Sequence, residues 1–480
     1  MKSKGFALHW QILIAVMLAV FVGIIFPTKY KFTYDSYEKF SNNADFNQIS
    51  PILVKNLQVF RDKEELSETN FLKEINNISE IPITGKKKQF ILKSAKYNPV
   101  VSYISRIGEL FLRVLKMIVI PLILTSIISG LSNIAGTANL GRLGLKTMIY
   151  YLATSTIAIL IGLFLVDYFK PGIGIDTGLT ETIDKFDVSR TTFSDILINI
   201  IPENIFKSLL NQDMLSIILL AMLFGYFITI SENKTKVFMT NFFNSANEVI
   251  MKITMFIIKF TPLGIFGLIT ATVADLSGDV DKLTKTAQSL GLFVIVVLLG
   301  LAFHSIIILP LIVKIFGKAN PYKHFKAMRA VLLTAFSTSS SAATLSLTME
   351  SVEHKCGVST KISGFTLPLG ATVNMDGTAL YECVAAMFIA QAYGIDLTFP
   401  EQLIVVVTAL LASIGAAGIP MAGLVMLSVV LTAVDLPLEG IGLIIVVDRI
   451  LDMLRTSVNV WSDTCGAVII AKSEGEILNV

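Results

Sequence analysis

The sequence predicts an all-α polytopic membrane protein whose C-terminal part carries two broken apolar hairpins. Of its 480 residues, 53% are hydrophobic and only 16% charged, against about 25% charged in soluble chains. Several apolar runs reach the ~20 residues that a helix needs to cross a bilayer. In the C-terminal third the apolar runs shorten, and Ser, Gly and Pro interrupt them in two places that match each other in kind. A mean hydropathy of +0.71 excludes a disordered or fibrous chain. A net charge of +3 without a Lys/Arg stripe argues against nucleic acid as a partner. Cys356, Cys383 and Cys465 have neither metal-ligand spacing nor the pattern of a disulfide framework, so they read as unpaired residues of apolar helices.

The first spanning segment is expected over about residues 8–26, after Lys2 and Lys4, with Trp10 as an interfacial anchor and the N-terminus in the cytoplasm. A signal peptide is the alternative, but the run is long and no small-residue cleavage site follows it. Residues 28–98 are rich in Lys, Glu, Asp and Asn, including Lys86, Lys87 and Lys88, and read as a solvated extracytoplasmic insertion. Its basic clusters do not forbid that side, because the positive-inside rule loses force for loops beyond about 60 residues. Asn77-Ile78-Ser79 within it matches a glycosylation sequon, a pattern common by chance. Helical runs follow at about 103–133, 143–168, 195–231, 238–274 and 287–316. The third of these is broken by polar residues, and 168–192, with Pro171, Gly172 and Gly174, reads as a loop.

From about Tyr322 the pattern changes. Residues 335–344 (AFSTSSSAAT) precede a helix carrying 374–378 (NMDGT); residues 413–423 (SIGAAGIPMAG) precede a helix carrying Asp448 to Asp463. Paired, interrupted hydrophobic segments of this kind point to a transporter binding site. On the last helix, Asp448, Asp452, Arg455, Asn459 and Asp463 lie within an arc of roughly 80°, with Thr456 beside it. A charge at mid-membrane costs at least ~2.5–3.5 kcal/mol, so three acids and an arginine need an internal purpose. One reading is a self-satisfied network in which Asp452 and Arg455 pair at i, i+3. The other is a zwitterion site: a carboxylate for an ammonium group, Arg455 for a carboxylate, and Asn459 as donor to a second one. Arg449 lies about 100° off this stripe, at a helix end or gate.

The NMDGT segment favours an unwound turn, and unwound backbone survives in a membrane where it is buried or lines a cavity. Sodium is a suitable partner for its oxygens. The serine run at 337–341 reads as a hairpin tip whose N–H groups can hold an anion. Glu382, a lone carboxyl on an apolar helix, is a proton-carrier candidate.

Together these residues resemble the glutamate/aspartate transporter family, the dicarboxylate/amino acid:cation symporters. The matching blocks are 339–345 (SSSAATL), 367–378 (LPLGATVNMDGT), 415–420 (GAAGIP), 452–460 (DMLRTSVNV), and upstream 113–121 (RVLKMIVIP) and 150–155 (YYLATS). The resemblance spans nearly the whole chain except 28–98. It implies eight transmembrane helices, two re-entrant hairpins, inverted repeats and a homotrimer. In each protomer a transport domain would move as an elevator against a static scaffold. Residues 1–27 would be the first spanning helix and 99–275 the scaffold, with 143–168 joining the transport domain. That domain would fill 276–480, with hairpins at 322–350 and 400–433.

Carried onto matching positions, the substrate site would comprise Ser341, Thr378, Ile419 and Gly423. It would add Asp452 for the amino group, Arg455 for the side-chain carboxylate, and Thr456 and Asn459 for the α-carboxylate. One sodium would use Gly370, Asn374, Asn459 and Asp463; a second Thr372, Met375, Ser413, Ile414 and Ala416; a third Tyr151, Thr154, Ser155, Asn374 and Asp376. Glu382 matches the animal members' proton-coupling glutamate, so H+ joins Na+ as an expected co-transported ion.

Two arginines of the family are missing. Archaeal members carry one where this chain has Ser339, and animal members carry one where it has Met453, so the cation near the site is either missing or supplied by Arg449. Trp461-Ser462 replaces a stretch that usually has glycine, and crowding of the first sodium site is expected there.

The reading is a symporter of aspartate or glutamate in lipid, in the plasma (inner) membrane of a prokaryote. A C4-dicarboxylate carrier would leave Asp452 without a partner, and a neutral amino-acid exchanger would leave Arg455 without one. An anion channel differs in coupling alone. An enzyme is disfavoured because His304, His324 and His354 are scattered and no His-Glu-x-x-His spacing exists.

Overall fold

The computed structural model describes residues 8–31, 66, 70–71, 73, 95–133, 138–175, 201–211, 213–277, 280–415 and 422–480. Their organisation is helical, as the composition requires: in a bilayer, backbone groups must find partners within their own segment. Helices α1 (Leu8–Ile25), α2 (Pro99–Asn133) and α3 (Ala138–Phe169) are followed by α4 (Ile205–Asn211) and α5 (Met214–Ile230). Among the described residues, three runs are long and apolar enough to cross a membrane: Pro99–Ser132, Arg142–Phe169 and Asp281–Phe316. A two-residue ribbon pairs β1 (Lys29–Tyr30) with β2 (Lys96–Tyr97), tying the two ends of the polar insertion together at the end of α1. The sequon at Asn77 lies outside the described residues.

The run expected over 238–274 is two helices, α6 (Asn233–Ile258) and α7 (Thr261–Ser277), bent by 52°. Pro262 explains the break: it has no N–H to offer, and its ring clashes with the carbonyl four residues back. The run expected over 287–316 is longer, beginning with α8 (Val280–Phe303) and ending with α9 (Leu309–Phe316). Between them His304–Ile308 form one π-helical turn ahead of Pro310, a widened turn that accommodates the missing donor.

The C-terminal half holds two helix pairs, each followed by a longer helical unit. The first pair is α10 (Pro321–Thr338) and α11 (Ser341–Ser351). Asn320 caps α10 by accepting from the N–H groups of Tyr322 and Lys323. The chain reverses through Ser339, in the left-handed conformation at φ 49°, and Ser340, whose hydroxyl accepts from Ala343 N–H to start α11. Next come α12 (Thr360–Val373) and α13 (Asp376–Ala392). The second pair is α14 (Phe399–Gly415) and α15 (Ala422–Ala433), and α16 (Ile441–Ser473) closes the chain.

Helix α13 is enclosed by α3, α8, α14, α15 and α16, and every residue from 376 to 390 is buried. A helix apolar all round belongs in an interior; the polar residues of α13 therefore face other protein groups. Outside the bundle, Glu474 meets Lys146 and Arg142 at 2.6 Å each, and its hydrogen bond to Lys146 holds its carboxyl below the usual carboxylate range.

Helices α2 and α7 cross at small residues, as membrane helices do when their backbones approach closely. A Cβ on Gly267 would overlap the Gly108 nitrogen, and one on Gly108 would stand 2.7 Å from Leu268 N. Gly267→Val is expected to destabilise the protein by about 1–3 kcal/mol, read as a lowered Tm in detergent. Gly291→Ala, where nothing among the described residues lies within 4 Å of an added Cβ, should leave Tm unchanged.

Candidate functional site

The five stripe residues of α16 are all buried, Arg455 and Asp448 completely. They face the break between α12 and α13, because α16 packs against both. At that break Asn374 (φ −101°, ψ 82°) and Met375 (φ −116°, ψ 59°) leave helical geometry, as the Asn-Met-Asp-Gly run predicts. Asn459 bridges the two elements. Its Oδ1 accepts from Gly377 N–H (2.8 Å) and Thr378 N–H (3.3 Å), and its Nδ2 donates to Thr378 Oγ1 (3.0 Å). The free N–H groups that open α13 thus find a partner on α16.

Arg455 forms ion pairs with Asp448 Oδ1 and Asp452 Oδ1, both at 3.0 Å. Its guanidinium carbon lies 3.7 Å from the Tyr381 ring centroid, a cation–π stack that fixes the plane of the fork. Its Nε and Nη1 are buried with no hydrogen-bond partner among the described residues. Nη1 faces the start of α15: a Cβ on Gly423 would meet it at 3.3 Å. Arg449 Nη1 sits 3.2 Å from Asp452 Oδ2, so the residue read as off the stripe joins the same charge cluster. Thr456 donates to the Asp452 carbonyl (2.8 Å). One turn beyond Thr378, Glu382 is fully buried, and neither carboxyl oxygen has a hydrogen-bond partner among the described residues.

A second cluster lies on the other side of the α12–α13 break. Asp376 Oδ1 accepts from Ser155 Oγ (2.6 Å) and Thr154 Oγ1 (3.3 Å). Its Oδ2 accepts from Ser462 Oγ (2.7 Å) and meets His304 Nε2 at 2.9 Å. Asn374 Nδ2 donates to Asp463 Oδ1 (2.9 Å) and to Ser462 Oγ (3.0 Å). Tyr151 donates to the Thr366 carbonyl (2.7 Å), and its hydroxyl and the Asp463 carboxylate flank Gly370, where a side chain would collide with both. Among the described residues no lysine or arginine pairs with Asp376 or Asp463. Two buried carboxylates surrounded by hydroxyl, amide and carbonyl oxygens make an environment suited to a hard cation.

The structure therefore brings together Asp452, Arg455, Thr456, Asn459, Thr378 and Gly423 at one cluster. At the other it joins Tyr151, Thr154, Ser155, Gly370, Asn374, Asp376 and Asp463. Ser341 is buried at the first turn of α11, which packs on α16. Met375 is buried at the break. Thr372 and Ser413 each donate to a carbonyl of their own helix, and Ile414 is half-buried near the end of α14. Ala416 and Ile419 lie outside the described residues.

Of the pair Trp461-Ser462, expected to crowd the first sodium site, Ser462 stands 3.0 Å from Asn374 Nδ2. Ser462 is a member of the Asp376 cluster, while Trp461 turns away, stacks on His324 at 4.8 Å and donates to the Ser305 carbonyl. Sequence reasoning missed Tyr381, took His304 only as a scattered histidine and took Ser462 only as a source of crowding; none was read as a partner of these clusters. Nothing in their local sequence marks them; each is brought in by packing between distant helices.

Charged residues buried on broken helices within a multi-span bundle define a membrane transporter. The chain belongs to the sodium:dicarboxylate symporter family, whose model matches residues 8–473. It is 37% identical over 434 residues to an excitatory amino acid transporter of Caenorhabditis elegans, covering 81% of this chain and 85% of the worm protein. It is also 37% identical over 387 residues to a proton/sodium-glutamate symport protein of Geobacillus stearothermophilus, covering 79% and 90%. Human excitatory amino acid transporter 2 is 36% identical over 441 residues, covering 80% and 76%.

Proposed function

We propose that this protein is a sodium-coupled secondary active symporter of an acidic amino acid, aspartate or glutamate. The observation that carries the reading is Arg455: a fully buried guanidinium, stacked on Tyr381 and flanked by Asp448 and Asp452, with Nε and Nη1 without partners among the described residues. Leaving such donors unmatched is costly unless a ligand completes them, and a carboxylate does so bidentately. Asp452 beside it offers the charge an ammonium group needs. A dicarboxylate without an amino group would leave that carboxylate without a counter-charge from the ligand. The names of relatives as distant as a worm's and a bacterium's, both for glutamate or excitatory amino acids, agree with this chemistry.

In this reading Asp452 holds the amino group and Arg455 the side-chain carboxylate. Thr456 and Asn459 hold the α-carboxylate, and Ser341, Thr378, Ile419 and Gly423 close the site from the two helix pairs. Sodium is cargo at three places: Gly370, Asn374, Asn459 and Asp463; Thr372, Met375, Ser413, Ile414 and Ala416; Tyr151, Thr154, Ser155, Asn374 and Asp376. Cation binding at Asp376 and Asp463 would fix the α12–α13 break, to which Asn459 is hydrogen-bonded, so ion and substrate binding reinforce each other. Glu382 carries a proton. The working unit is a homotrimer of eight-span protomers in the plasma membrane, the helix pairs acting as gates and the transport domain moving as an elevator.

The test is uptake of radiolabelled L-aspartate and L-glutamate into proteoliposomes, with and without an inward sodium gradient. Accumulation above equilibrium that requires sodium is expected. Uptake that follows a pH gradient and ignores sodium moves the coupling to Glu382 alone. Transport of succinate or a neutral amino acid in place of both acidic amino acids overturns the substrate assignment.

A further inference from the structure

We propose that Arg449 is a specificity-determining residue that occupies the amino-group subsite in the empty protein and must be displaced from Asp452 by the substrate's ammonium group. This rests on the function proposed above and adds a residue that the site assignment lacks. The two carboxylate oxygens of Asp452 face two different guanidinium groups: Oδ1 lies 3.0 Å from Arg455 Nη2, and Oδ2 lies 3.2 Å from Arg449 Nη1. Both arginines come from α16 itself, three residues before and three after Asp452, and so reach the carboxylate from opposite directions along the helix.

An exposed pair at this spacing stabilises a helix only slightly. This one is not exposed: the side chains of Arg449 and Asp452 are 17% and 8% accessible, and Arg449 Nε is buried with no hydrogen-bond partner among the described residues. Charges shielded from water are poorly screened, so a second cation approaching Asp452 feels Arg449 strongly.

The charge balance gives Arg449 its role. Asp448 and Asp452 stand against Arg449 and Arg455 on this stretch of α16, two against two. Arg455 also reaches the fully buried Asp448, so among the described residues Arg449 is the counter-charge that balances this stretch of α16. Without it a net negative charge would stand inside the membrane protein, an expensive arrangement. An ammonium group offers Asp452 the same charge that Arg449 offers. The two cations compete for Oδ2, and affinity for an amino acid falls by the fraction of time Arg449 holds that oxygen. A dicarboxylate lacking an amino group does not need Oδ2 released, so it gains nothing when Arg449 leaves. Arg449 is half-buried rather than enclosed, and so has room to swing aside as the ammonium group arrives.

The experiment compares wild type, Arg449→Gln and Arg449→Lys in proteoliposomes under an inward sodium gradient. It reads the KM for L-aspartate and the concentration of succinate that half-inhibits tracer L-aspartate uptake. In Arg449→Gln the KM for L-aspartate should fall about tenfold, while half-inhibition by succinate shifts less than about twofold. Arg449→Lys, which keeps the charge on a different reach, should fall between the two. An unchanged KM, or equal shifts for both ligands, overturns the inference. If Arg449→Gln is not recovered folded, Arg449→Lys supplies the same comparison of the two ligands. Sodium-driven L-aspartate uptake by wild type without the predicted shift overturns this inference alone. No such uptake by wild type overturns the proposed function and this inference with it.

Discussion

Replacing Arg455 with alanine is expected to abolish sodium-driven uptake of acidic amino acids and to destabilise the protein by about 3–5 kcal/mol. Both effects follow from one geometry. The guanidinium sits within 3.0 Å of Asp448 and Asp452 and against the Tyr381 ring, with no exposed surface. Its removal takes a cation from two buried carboxylates, and in the proposed site the substrate would lose its bidentate partner. The two consequences separate in a double variant. Arg455→Ala with Asp448→Asn restores the local charge balance and should regain part of the lost Tm, yet remain inactive. Recovery of uptake in that double variant would mean that Arg455 serves the fold and not the ligand. Uptake near the wild-type rate in Arg455→Ala alone would overturn the site.

Gly377→Ala is the second large effect. Gly377 opens α13 where it presses on α16, and an added methyl would stand 2.7 Å from the Arg455 carbonyl oxygen and 3.0 Å from its Cα. Both obstacles are backbone, so no side chain can give way and the two helices must separate. That movement lengthens the bond from Gly377 N–H to Asn459 and shifts Arg455 itself. A cost of about 1–3 kcal/mol is expected from the overpacking, read as a lowered Tm. Uptake should fall by about a hundredfold, because displacement by a fraction of an ångström at a positioned site has large consequences. Unchanged Tm and uptake would show that the α13–α16 contact is slack.

The separate character of the two clusters bears on how ion and substrate binding would communicate in the proposed function. Asn374 joins Asp463 and Ser462 on one side, while Gly377 and Thr378, a few residues on, join Asn459 on the other. The five residues 374–378, the two-residue break and the first turn of α13, thus touch both groups of charges. The backbone break is what makes this possible: in a continuous helix the N–H groups of residues 377 and 378 would be bonded to carbonyls four residues back and not to Asn459.

Much of this was legible in the sequence, because helix periodicity alone fixes which residues share a face. Asp448, Asp452, Arg455, Asn459 and Asp463 fall on one face of α16 whatever surrounds it, and burying that face requires partners for its charges. The unwound turn at NMDGT follows from local preferences of Asn, Asp and Gly, and the reversal at Ser339–Ser340 from capping chemistry. The break at 259–260 was open to the same reasoning through Pro262 but is hidden in an apolar run whose hydropathy is continuous.

What the sequence determined is therefore what depends on neighbours along the chain: the helical membrane class, the charged stripe and the two interrupted segments. The tertiary structure alone decided what depends on contact between distant elements. His304 reaches Asp376 across 72 residues, Ser462 across 86, and Ser155 across 221. Arg455 finds its aromatic support in Tyr381 only because α13 lies against α16. Helical spacing orders residues on one cylinder, but it carries no information about which cylinder comes to face it.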